Sequence, residues 1–140
     1  MGYDTRVFGE ITITPPLPYG KIKNSPFRSI SREDTTLMFD EDSRVEDTEE
    51  GTLSRTSAVG IKVRYDEPGR HYGIDTELSK IVDANPDREY AGAFVIVGAD
   101  PGDIQRVRVE RVAGPGRGMT RRVVTDKAEL RWPDGTKVEF

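Results

Sequence analysis

The chain predicts an α+β fold: a mainly antiparallel sheet, with one short amphipathic helix over residues 75–84 and a helical turn over 18–24 packed on one face. Three observations lead there. Period-two apolar runs recur along the 140 residues and outnumber helical patterns. Only residues 75–84 space their apolar side chains as an amphipathic helix does. The links between runs are mostly too short for the crossover that parallel strands need. A single domain, 1–140, accommodates these elements.

From Arg6 to Thr14, Val7, Gly9, Ile11 and Ile13 alternate with Phe8, Glu10, Thr12 and Thr14, as in a half-buried strand. Pro15-Pro16 is expected to end it, because proline donates nothing to a ladder. Proline opens the helical turn at 18–24, and Leu17, Tyr19, Ile22 and Phe27 are expected to pin it to the core. Thr35–Phe39 reads as a short strand and Asp40–Gly51 as an acidic loop whose one apolar anchor is Val45. Thr52–Arg55 is able to pair back as a hairpin arm, and Val59, Ile61, Val63 and Tyr65 alternate in a further strand.

The helix is expected to be capped by Asp75 or Thr76, to bury Leu78, Ile81 and Val82, and to stop at Asn85-Pro86-Asp87. At this length it needs tertiary packing. Tyr90–Val97 carries almost no polar side chain and reads as a buried strand; Ile104–Val109 alternates. Between them lies the turn Gly98–Ile104. Residues 114–118 read as a loop and 121–125 as a strand. Pro133-Asp134-Gly135 is good turn chemistry between Ala128–Trp132 and Thr136–Phe140. Pairing Trp132 with Thr136 puts Ala128, Leu130, Trp132, Val138 and Phe140 on one face.

The chain contains no cysteine, which excludes disulfides, thiol nucleophiles and thiolate metal sites and suits a reducing cytosol. No apolar signal core and no membrane span is read, so a cytoplasmic protein is expected. The net charge of −4 hides an asymmetry: residues 33–50 hold nine acids against one base, and residues 104–140 nine bases against five acids. Such polarity either steers a partner or marks solvated faces.

His71 is the only histidine, and no Gly-x-Ser-x-Gly elbow accompanies it, so nucleophilic catalysis has little support. Asp100 and Asp103 flank Pro101-Gly102, where they serve either turn geometry or a pair of carboxylates for a cation or acid–base work. Gly114–Gly118 lacks the Gly-Lys-Ser/Thr ending of a phosphate loop. Arg106, Arg108, Arg121, Arg122 and Arg131 are able to line one sheet face, but Trp132 is committed elsewhere and the chain is acidic, so a protein partner is favoured over nucleic acid.

Met1-Gly2-Tyr3, Gly9–Leu17, Glu50–Leu53, the run Gly98–Val107 and Trp132–Gly135 together resemble a family of small uncharacterised proteins from actinobacteria and their phages. The resemblance spans most of the chain and carries no catalytic residue with it. It implies a non-enzymatic accessory module, phage- or prophage-encoded, that binds a host or phage protein. The expected binding residues are Asp100, Asp103, Arg106 and Arg108 at the strand boundary and Glu46, Asp47, Glu49 and Glu50 in the acidic segment, with no catalytic residue, metal or cofactor. A carboxylate- or metal-dependent hydrolase using Asp100, Asp103 and Asp134 or His71 is the alternative, and a virion component or an acidic mimic of DNA are further ones.

Overall fold

The computed structural model describes residues 5–31, 35–64, 73–98, 102–113, 119–127 and 131–136. In chain order these form β1 (Thr5–Pro18), α1 (Tyr19–Ile22), β2 (Leu37–Thr48), β3 (Gly51–Val63), α2 (Ile74–Ala84), β4 (Glu89–Gly98), β5 (Ile104–Ala113) and β6 (Met119–Lys127). The strands make one antiparallel sheet in the order β2-β3-β1-β4-β5-β6.

The α+β expectation is corrected: the fold is essentially all-β, with two small helices. Both helices lie close to where they are expected, but one turn and an eleven-residue helix do not make a layer of their own. The sheet is larger than expected for two reasons. The segment Asp40–Thr48 is strand rather than loop, because each residue finds a partner on β3, down to Thr48 opposite Gly51. Also, β1 does not stop at Pro15-Pro16. The prolines fall in a break of the β1–β3 register between Thr12 and Leu17, where no ladder donor is needed, and pairing resumes with Leu17 opposite Ala58.

β1 is central and its odd-numbered side chains build the core. Val7, Ile11, Ile13 and Leu17 are buried and pack with Leu37, Phe39, Ile61, Phe94 and Val107 from the sheet and with Ile74, Leu78, Ile81 and Val82 from α2. Val59 is passed over in the pairing of β3 with both neighbours, so the buried parity changes from Ala58 to Ile61 across it. The apolar run in β4 is only half buried: Tyr90 and Phe94 face the core, while Val95 and Val97 lie on the other side of the pleat.

Glycine sets the curvature. Gly9 sits opposite Phe94 with φ of 99°, and Gly92 opposite Ile11 with φ of 105°. A Cβ at either would stand 2.3–2.4 Å from a carbonyl oxygen of the neighbouring strand. The sheet can therefore bend sharply at the β1–β4 seam, and Phe94 occupies the space opposite Gly9 with no exposed surface. The backbone of α2 comes close to the two outermost strands, β6 and β2, so the sheet cups around the helix.

Two contacts secure α2. The Glu77 carboxylate accepts hydrogen bonds from the backbone N–H of Thr36 (3.0 Å) and Leu37 (2.9 Å), tying the helix to the start of β2. At the other end Asn85 N–H and its side-chain amide donate to the carbonyls of Val82 and Ile81, and the Tyr90 hydroxyl donates to Asn85 O at 2.6 Å. The expected Asp75 or Thr76 cap is not made. Gly73, left-handed at φ of 71°, is the N-cap residue, and its carbonyl accepts from Glu77 N–H.

Tyr19, expected in the core, is about half exposed and instead lies 5.3 Å from the Arg28 guanidinium. The C-terminal turn forms as expected, with Trp132 N–H donating to Thr136 O, Gly135 at φ of 91°, and Asp134 accepting from Thr136 N–H and Oγ1. Trp132 is exposed rather than committed to a hydrophobic face. The strand arms 128–130 and 137–140, like Tyr65 and the 114–118 loop, lie outside the described residues.

Two measurements test this account. Gly92→Ala should cost more in urea denaturation than Gly51→Ala: both positions have positive φ, with strain of about 1–3 kcal/mol, but only Gly92 adds a clash. Equal losses would contradict the tight seam. Burial pushes the Tyr90 phenol up to about 12, against the pull of Arg88. Its stabilisation is therefore complete below the ordinary value of 10.0 and is lost as pH rises through about 12. Tyr90→Phe should lose about 1 kcal/mol at neutral pH and remove that alkaline loss.

Candidate functional site

Residues 43–55, on both strands of the β2–β3 hairpin and in its turn, are all exposed. β3 pairs with β1 only through residues 57–61, so the ribbon beyond Thr56 runs past its pairing with β1, exposed along its length. Six residue pairs, from Ser43 opposite Thr56 to Thr48 opposite Gly51, make an arm about 20 Å long at about 3.3 Å per residue. A two-stranded ribbon gains little stability by itself. Here small polar bonds hold it: the Ser43 and Thr56 hydroxyls meet at 3.0 Å, Thr48 Oγ1 donates to Gly51 O at 2.6 Å, and Thr52 Oγ1 donates to Asp47 Oδ1 at 3.3 Å.

Charge dominates the arm. Glu46 and Asp47 lie on its last turnward pairs and Glu49 and Glu50 form its tip. Arg44 and Arg55 face each other directly, an unfavourable pairing relieved by Asp42 at 3.2 Å from Arg44 and Glu46 at 3.9 Å from Arg55. Val45 and Leu53 are exposed apolar residues on opposite faces. At the arm's base a groove of about 690 Å³ runs between its residues, including Arg44, Glu46 and Arg55, and Pro16, Pro18 and Tyr19.

The root of the arm is held firmly. Arg28 donates through Nε and Nη2 to Glu41 Oε1 (3.2 and 2.8 Å), and Ser29 N–H and Oγ donate to Oε2 (3.1 and 3.2 Å). Burial pushes the Glu41 carboxyl up, but the Arg28 and Ser29 hydrogen bonds outweigh it and hold the group below its ordinary value. Phe39 N–H donates to Phe27 O at 2.7 Å, so the 27–29 segment covers this stretch of the β2 edge. Arg64 fastens the segment from the other side, donating to the carbonyls of Pro26, Arg28, Ser29 and Thr35.

The second group of expected residues lies across the sheet. Arg106 is opposite Asp126, and Arg106 Nη2 and Arg108 Nε donate to Asp126 Oδ2 at 3.2 and 3.1 Å. These bonds, that from Arg106 first, hold the Asp126 carboxyl below its ordinary value, and the Asp126 bond raises Arg108. Glu110 pairs with both Arg108 and Arg122. The five arginines do not share one face: Arg106, Arg108 and Arg122 lie on one side of the pleat, while Arg121 lies on the other and bonds Glu89 and the Arg88 carbonyl. The patch is thus internally neutralised.

Asp103 sits before β5, where its carbonyl accepts Gly98 N–H at 2.8 Å; Asp100 and His71 lie outside the described residues. Asp134 serves its own turn, where Thr136 lowers its carboxyl. Glu46, Asp47, Glu49 and Glu50 come together at the arm, and Arg106 and Arg108 on β5. The strand order keeps β1 and β4 between the two groups. Arg28, Glu41 and Arg64, which anchor the arm, carry no local sequence signal, because their partners lie 12–38 residues away. Among the described residues no group of three or more His, Asp or Glu side chains is placed to hold a metal ion, and no helix is long and apolar enough to cross a membrane.

The chain belongs to DUF6205, a family of unknown function whose model spans residues 1–140. No curated protein and no solved structure matches it.

The Glu41 anchor has a pH signature. Its folded value lies below the ordinary 4.5, so its stabilisation is complete above that value and drains away as pH falls through the folded one. Unfolding free energy of the wild type should drop below pH 4.5 more steeply than that of Glu41→Gln; parallel curves would contradict the assignment.

Proposed function

We propose that this member of a family without an assigned activity is a binding module, and that its acidic β2–β3 arm is the element offered to a basic protein surface. The observation that carries the reading is the arm itself: residues 43–55 extend past the sheet and are exposed on both faces. Such a ribbon contributes little to the core and keeps its order through short polar bonds. Its charge supports a protein partner over nucleic acid, because Glu46, Asp47, Glu49 and Glu50 would repel phosphates. Val45 and Leu53 each supply one exposed apolar anchor, on opposite faces of the charged arm, so a partner gains apolar contact on whichever face it meets.

The internally paired Arg106–Asp126–Arg108 row has less to offer a partner, since its charges would have to exchange one ion pair for another. The resemblance to actinobacterial and phage proteins and the absence of cysteine support an accessory role in the cytoplasm of a bacterial host, encoded by a phage or prophage.

The test is a low-salt capture from host lysate with the wild type and the quadruple variant E46Q/D47N/E49Q/E50Q. A partner retained by the wild type, released as salt rises and lost by the variant is the expected outcome. Equal capture by both, or nothing above background, would sink the reading. The variant should unfold close to the wild-type temperature, because D47N keeps an oxygen acceptor for Thr52 and the exposed 3.9 Å Glu46–Arg55 pair contributes little.

A further inference from the structure

A second cleft, of about 420 Å³, opens between α1 with the segment following it and the C-terminal half of α2. Its cationic lining is Lys21, Lys23 and Lys80, which are three of the six lysines in the chain, and among the described residues no carboxylate lines it. In a protein of net charge −4, that is a local excess of cations. Among the described residues none of the three lysines is ion-paired, and Asp83, within reach of Lys80 along α2, does not pair with it.

The ordinary reason for cations near a helix end is the exposed carbonyls of its last turn. That reason does not account for Lys80, because α2 has no basic residue in its last turn and Asn85 already donates to the Ile81 and Val82 carbonyls, whereas Lys21 and Lys23 stand at the end of the single turn α1. The floor of the cleft is apolar, formed by Phe27, Phe39 and Ile81, and the two rings meet edge to face at 6.2 Å. A lysine rim over an apolar floor matches a ligand with an anionic end and an apolar body. Three ammonium groups favour a dianion over a carboxylate, and a phosphomonoester carries close to two charges at neutral pH. The volume falls in the range of small-molecule sites.

We infer that the cleft between α1 and α2 binds a phosphomonoester of mononucleotide size, with its phosphate among Lys21, Lys23 and Lys80 and its apolar part toward Phe27, Phe39 and Ile81. The site lies away from the acidic tip and does not depend on what the arm binds. Titration of the full chain, followed by amide NMR shifts, tests it with three probes: adenosine monophosphate, adenosine and inorganic phosphate. The expected result is saturable shifts on residues 20–27 and 80–85 with adenosine monophosphate, binding at least tenfold weaker with phosphate, and none with adenosine. K21Q/K23Q/K80Q should weaken adenosine monophosphate at least tenfold without changing the unfolding temperature, and K80Q alone should weaken it less. The inference is overturned by adenosine matching its monophosphate, by phosphate binding as tightly as the nucleotide, by shifts located elsewhere, by no shift at all, or by affinity unchanged in the triple variant.

Discussion

A six-stranded sheet has one wide apolar face, and among the described residues a single helix of useful length covers it. α2 is eleven residues, about 16 Å of helix. A flat sheet of six strands spaced about 4.8 Å apart would leave much of its inner face bare. The sheet must therefore bend until its outer strands reach the helix. Gly9 and Gly92 permit this by letting β1 and β4 approach where no side chain would fit, and Phe94 fills the space so made. The core residues of β1, the fully buried Leu78 of α2 and the Glu77 bridge to β2 all follow from that curvature.

Curvature also decides what happens at the edges. The inner part of β2 is covered by the 27–29 segment, which is held through Glu41 on one side and the carbonyl contacts of Arg64 on the other. Only beyond that clasp does the hairpin run free. The clasp thus sets where the body ends and the arm begins, and gives an otherwise marginal ribbon a rigid root. Charged side chains along the free stretch discourage edge-to-edge pairing with another sheet.

The two charged regions behave differently although both stand out in the composition. On β5 and β6, opposite charges face each other across strands and along diagonals, so Arg106, Arg108 and Arg122 are met by Asp126 and Glu110. On the arm acids outnumber bases and the tip residues Glu49 and Glu50 stand in the turn. The lysine-lined cleft is a third case, built from cations that local pairing leaves over. Net charge by segment does not separate these cases; cross-strand register does.

Local chemistry was legible from the residues alone. The alternation of Val7, Ile11 and Ile13, the helical spacing of Leu78, Ile81 and Val82, and the Pro133-Asp134-Gly135 turn each depend on neighbours a few residues apart. The acidic residues Glu46, Asp47, Glu49 and Glu50 were visible as a group for the same reason. Only the tertiary structure decided that Asp40–Thr48 is strand, that β1 continues past Pro15-Pro16, and that the fold is therefore all-β. Acids and prolines are poor strand residues by propensity, and long-range pairing with β3 overrides that preference. The clasp around Glu41 and the cleft joining Lys21, Lys23 and Lys80 have the same origin. Their members are distant in the chain and meet only through long-range packing, the 27–29 segment against the β2 edge and α1 beside α2, which local pattern does not encode.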